Sequence, residues 1–205
     1  MRRLTAGISV AAAAWFWMFS PWTAGLTAFW PTMAVVSVVL MLVAAPWRQK
    51  RTADTPVRWV HQLLSGVALA ALLWAVFWLG DKVSSWLFDF ARPQVDAVYG
   101  MKDGVAPWLV AVQLLLLTGP AEELFWRGYV QRTLAARWNA NIGFVVATAL
   151  YTLIHIWSFN FMLIMAALVC GLVWGGLYRL RPQWLPALVL SHALWDTCVF
   201  VVIPI

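Results

Sequence analysis

Gly119-Pro120-Ala121-Glu122-Glu123-Leu124-Phe125-Trp126-Arg127-Gly128 places two adjacent carboxylates and a guanidinium inside an otherwise apolar, helix-compatible run. An ionisable group at the centre of a membrane-crossing helix costs about 2.5–3.5 kcal/mol on insertion scales. Groups that expensive mark functional sites. The stretch therefore suggests that the chain crosses a membrane as helices and that its chemistry lies here.

The chain has 205 residues, 63% of them hydrophobic and 11% charged, with a mean hydropathy of +0.80. A soluble domain of this composition would expose too much apolar surface. The composition predicts an all-α, polytopic membrane bundle with no sizeable soluble domain. It divides into N-terminal spans with a membrane-surface segment over residues 1–104 and a helical core carrying the acidic stretch over 105–205. Many of the 16 Trp lie near the ends of apolar runs, where amphipathic rings favour the headgroup level. Cys170 and Cys198 both sit in apolar runs and read as packing residues rather than a disulfide.

Working outward, seven spans are expected. Residues 4–20 follow a basic start and read as an uncleaved first span. The second covers 26–45, long enough for ~30 Å of hydrocarbon, and the third 60–80. The fourth starts at 105 and carries the acidic stretch towards Arg137. The last three cover 141–155, 159–178 and 185–202. Gly119-Pro120 predicts a kink or local opening. Residues 81–104 alternate apolar and charged side chains and read as a surface helix broken at Pro93. His61 reads as an interfacial, solvated histidine.

The net charge of +6 fits this topology better than it fits a nucleic-acid partner. With the N-terminus inside, the outer segments hold only Lys82, Arg92 and Lys102, offset by Asp81, Asp89, Asp96 and Asp103. All other Lys and Arg, including Arg48, Lys50, Arg51 and Arg58 of the 46–58 loop, fall inside, as the positive-inside rule requires. The expected setting is a multi-pass protein of a bacterial inner membrane with a cytoplasmic N-terminus.

Two more polar islands interrupt apolar helix: Tyr151-Thr152-Leu153-Ile154-His155 and Ser191-His192-Ala193-Leu194-Trp195-Asp196. At about 1.5 Å rise per residue, Glu122 and His155 stand level, roughly 25 and 24 Å above the turn at Asn139. The three islands are thus expected to meet in one cavity. Glu123 and Arg127 are spaced i,i+4 with the acid first, the favourable order for a helix ion pair. His192 and Asp196 share that spacing, so the carboxylate can orient the imidazole. Glu122 is turned about 100° from Glu123, so one glutamate can be neutralised while the other faces the cavity. Two acids in unlike environments suit general acid–base work.

At these residues the chain resembles the CAAX-protease and bacteriocin-processing family, also called Abi. Its three motifs correspond to Glu122-Glu123-x-x-x-Arg127, Tyr151…His155 and His192…Asp196, over roughly residues 105–200. The family's second motif more often has Phe where Tyr151 stands, and its third often ends in Asn rather than Asp196. The resemblance implies a metal-independent, glutamate-dependent intramembrane endopeptidase without cofactors, acting on a membrane-associated peptide or protein within the lipid bilayer. It implies Glu122 as general base assisted by His155, His192 and Asp196 as oxyanion stabilisers, and Glu123 with Arg127 as supports. Prenylated C-termini, peptide bacteriocins and sorting tails all remain open as substrates, and the oligomeric state is unreadable. Two other readings stand beside the protease: a non-enzymatic immunity or partner-binding protein, and a proton-coupled carrier using the same buried Glu and His. Two His with Glu122 also make a possible zinc ligand set.

Overall fold

The computed structural model of the chain describes residues 1–45 and 58–205; Arg48, Lys50, Arg51 and the rest of the 46–57 loop lie outside the described residues. Among those described there are helices and no strand. They are α1 (Arg2–Phe19), α2 (Phe29–Ala44), α3 (Trp59–Leu87), α4 (Ala91–Gly100), α5 (Pro107–Arg137), α6 (Ala140–Ser158), α7 (Phe161–Leu180) and α8 (Pro182–Val202). Local chemistry sets several starts. Pro107 opens α5, where a missing N–H costs nothing. Asn139 and Asn160 cap α6 and α7, their side chains accepting from Ile142 N and Leu163 N, both at 2.9 Å.

Among the described residues five helices, α3 and α5–α8, are long and apolar enough to cross a membrane, so the protein is an integral membrane protein. The expected count of seven is not reached by length and composition together. The second apolar run becomes helical only at Phe29, because Ala24–Leu26 forms a separate 3₁₀ turn. At 16 residues, α2 rises about 24 Å, short of the hydrocarbon thickness. The third apolar run extends past residue 80 to Leu87. Pro93 does not break the surface helix. It sits in the first turn of α4, where its absent N–H has no intrahelical acceptor to lose. His61 is exposed and packs edge-on to Trp184, with ring centroids 5.6 Å apart.

In α5, 44% of the most apolar window is buried inside the protein, against 17% in α3. Thus α5 is the central helix, flanked by α2, α6 and α8, while α3 packs on α8 and, near its end, on α4. Two glycines permit close crossings onto α8. A Cβ on Gly119 would lie 2.7 Å from Ala193 Cα, and one on Gly66 would lie 2.9 Å from the Ala187 carbonyl oxygen. Backbone therefore touches backbone where α5 and α3 meet α8. The first contact sets the acidic stretch directly against the third polar island.

Charge is distributed by end. Met1 to Leu4 line a recess with Tyr129 and Thr133, and Gln62 donates to the Gln183 carbonyl at 3.1 Å. These contacts gather Arg2, Arg3, Arg58, Arg132, Arg137, Arg179 and Arg181 towards one end. At the other end Asp81 of α3 pairs with Lys82 and with Arg92 of α4, each at 3.3 Å. There Arg92 also donates to Asp96 at 2.9 Å, and this bond chiefly holds its guanidinium above the ordinary value. Burial pushes the Tyr99 hydroxyl up.

Candidate active site

The acidic stretch is not plain α-helix throughout. Residues Gly119–Phe125 are α-helical, bracketed by i→i+5 turns at Leu114–Thr118 and Trp126–Gln131. Each wide turn carries one residue more than an α turn and resets the facing of the residues beyond it. The Gly119 N–H reaches back to the Leu114 carbonyl, so the local opening lies just before Gly119-Pro120. Within the bracketed turn, Glu122 faces a cavity of about 470 Å³, while Glu123 lies behind its wall.

Glu123 is wholly buried. Its Oε1 accepts from Arg127 Nη1 at 2.8 Å and from His192 Nδ1 at 2.9 Å. The first contact is legible from spacing; the second joins α5 to α8 across 69 positions. Arg127 donates also to the Cys170 carbonyl at 3.3 Å and lies over the Tyr151 ring, 4.7 Å from its centroid. The guanidinium is thus tied to a carboxylate, a backbone carbonyl and a ring face, which suits its planar fork.

The His192 ring stacks on Trp174 at 4.0 Å between centroids, tilted 21°, and Trp174 donates to Ser191 Oγ at 3.1 Å. His192 Nε2 lies 3.4 Å from Asp196 Oδ2, a looser contact than Nδ1 makes to Glu123. Both neighbours are acceptors when ionised, so a ring that serves both carries two N–H groups.

His155 sits where α6 tightens into a 3₁₀ turn, Ile154–Ser158. The chain then reverses at Phe159, a non-glycine residue in the left-handed region (φ 49°), a strained conformation of the kind found at functional sites. His155 Nδ1 is 2.8 Å from the Tyr151 carbonyl, and Trp15 Nε1 is 3.1 Å from His155 Nε2. A carbonyl only accepts and an indole N–H only donates. The ring is therefore the tautomer with hydrogen on Nδ1 and a lone pair on Nε2.

The Tyr151 hydroxyl donates to Glu122 Oε2 at 3.1 Å, and Glu122 Oε1 has no protein partner among the described residues. Tyr151 thereby touches both other groups, Glu122 through its hydroxyl and His155 through its carbonyl. The cavity wall includes Glu122, His155, His192 and Asp196 together with Trp15 and Trp195, and is otherwise mostly apolar. All four proposed catalytic side chains thus share one cavity, with Glu123 and Arg127 behind it. Among the described residues no group of three His, Cys, Asp or Glu is arranged to hold a metal.

Sequence reasoning misses Trp15 and Trp174. With 16 Trp in the chain, and most of them interfacial or packing in character, nothing singles out these two. Tyr151 stands out as the aromatic of a motif, but its hydroxyl bond to Glu122 depends on the α5–α6 packing.

No curated protein and no solved structure shows significant similarity to the chain. Residues 104–198 match a family model described as type II CAAX prenyl endopeptidase Rce1-like. That match spans all three polar islands, stopping two residues past Asp196, and supports the CAAX-protease and bacteriocin-processing family for this part of the chain.

Proposed function

We propose that the protein is an intramembrane endopeptidase that hydrolyses a peptide bond of a membrane-associated protein or peptide, with Glu122 as the general base. The observation that carries this reading is the asymmetry of the two glutamates. Glu123 is spent on Arg127 and His192, while Glu122 lines the cavity with one oxygen held by Tyr151 and the other unpartnered by protein among the described residues. Glu122 Oε1 takes a proton from water as the water oxygen attacks the carbonyl carbon. The carbonyl π electrons move to oxygen, to which His192 Nε2–H, loosely held by Asp196, donates. Collapse of the tetrahedral species breaks the C–N bond, and Glu122 returns the proton to the leaving amine. His155 assists by offering its Nε2 lone pair to the water. The mostly apolar wall suits a lipid-modified or apolar substrate segment, and the buried setting strengthens each of these interactions.

The test uses purified protein and a quenched fluorogenic peptide ending in S-farnesylcysteine and three aliphatic residues. Wild type is expected to cleave it, Glu122→Gln to be inactive because an amide does not accept the proton, and chelator-treated wild type to be unaffected. Cleavage by Glu122→Gln at the wild-type rate refutes the assignment. Loss of activity on chelation, restored by zinc, refutes the metal-independent reading.

A further inference from the structure

Trp15 lies in α1, some ninety residues before the matched family region begins, yet it lines the same cavity as Glu122. Its ring is 1% exposed, and its only polar atom, Nε1, is spent on His155 Nε2. The two rings meet nearly edge-on, with centroids 5.8 Å apart and planes at 73°. Phe19 and Tyr151 pack on other sides of the imidazole, at 6.1 and 5.2 Å. The ring of His155 is therefore fixed at both nitrogens and enclosed by three aromatic rings, two of them from α1.

An imidazole nitrogen without hydrogen has one lone pair and accepts one hydrogen bond. The indole N–H and a water O–H are thus alternative donors to the same atom. We propose that Trp15 is a positioning residue for the reaction. It holds His155 with the Nε2 lone pair turned into the cavity, and it yields that lone pair to the hydrolytic water when substrate occupies the site. This rests on the role given to His155 above. It makes α1 part of the working site, although the family-matched half already contains Glu122, His155, His192 and Asp196.

A Trp15→Phe variant keeps a ring in the pocket and removes the donor. Trp17→Phe is the control: it lies on the same helix, and its Nε1 also donates, to Thr27 Oγ1 at 3.1 Å, but it is not in the cavity wall. On the farnesyl peptide, kcat of Trp15→Phe is expected to fall about 5–10-fold, because a ring no longer held by the indole presents Nε2 to the water less often in the productive orientation, with KM unchanged. Trp17→Phe is expected to match wild type. Unchanged kcat in Trp15→Phe overturns the inference.

A second measurement needs no substrate and reads the wild-type protein. The chain has three histidines, so ring ¹⁵N spectra of wild type in lipid nanodiscs are simple, and His155→Asn assigns the signals. The expected spectrum has His155 protonated at Nδ1, with Nε2 shifted as a hydrogen-bond acceptor. A ring protonated at Nε2 overturns the proposal. If Glu122→Gln cleaves normally, the general-base assignment falls whatever Trp15 does. If Glu122→Gln is inactive while Trp15→Phe equals wild type, only the role of Trp15 falls.

Discussion

Glu123→Gln isolates the charge of the buried carboxylate. An amide oxygen in the place of Oε1 can still accept from Arg127 and His192 at 2.8 and 2.9 Å. The amide nitrogen falls where Oε2 now lies, an atom with no partner among the described residues, so the change leaves shape intact and removes the negative charge. Arg127, 2% exposed, is then an unopposed cation. Removing one partner of a buried pair costs about 3–5 kcal/mol, far more than an exposed pair is worth. At about 2–4 °C per kcal/mol for a chain of this size, that is a fall of roughly 6–20 °C in melting temperature. The assay is the fraction surviving a heat step in detergent, read by size-exclusion chromatography. Arg127→Met should cost a similar amount, with a further loss from its bond to the Cys170 carbonyl and its contact with Tyr151. The double variant should cost less than the sum by at least about 2 kcal/mol, because neither charge is then left alone. A Glu123→Gln protein that melts within about 2 °C of wild type, less than 1 kcal/mol on that scale, or a cycle that is additive, refutes the claim that this ion pair is coupled.

Tyr151→Phe removes the donor to Glu122 Oε2 but keeps the carbonyl that holds His155, so cleavage should slow about 5–10-fold without being abolished; complete loss would mean that the hydroxyl does more than position Glu122. Asp196→Asn should keep substantial activity, since its amide can donate to an oxyanion, whereas Asp196→Leu should lose about 10²–10³ in kcat; equal losses in the two variants would contradict the assignment, and a fully active Leu variant would remove Asp196 from the site. For orientation, Gly100→Cys should react with an impermeant thiol reagent added to intact cells, and Trp138→Cys should react only after the cells are opened; the reverse pattern would invert the topology.

The helical membrane character is legible in the sequence because the apolar runs are long and their charged interruptions few. The meeting of Glu122, His155, His192 and Asp196 is legible because i,i+4 spacing and helix rise are local rules that the apolar bundle leaves intact. What fails is also local. Ala24–Leu26 turns before α2 begins, and Pro93 sits at a helix start rather than breaking a helix, because a proline's effect depends on its distance from that start. The bond from His192 to Glu123 depends on Gly119 lying against Ala193, and that from Trp15 to His155 depends on α1 packing beside the end of α6. Neither leaves a periodic trace in the sequence.

The wide turn at Leu114–Thr118 makes α5 a rod in two separately indexed pieces. The inner piece is anchored by the contact of Gly119 with Ala193, and the outer by Gln113, which donates to the Trp30 carbonyl at 2.9 Å. Deleting one residue from that turn would restore ordinary pitch, and because the wide turn holds one residue more than an α turn, both pieces would keep their facing. Gln113 would then keep its bond to the Trp30 carbonyl and Glu122 its aim into the cavity. Length changes in α5 on the outer side of Gly119 are in this sense insulated from the chemistry. The same change between Gly119 and Glu122 would carry Glu123 into the place of Glu122 and Glu122 into that of Ala121.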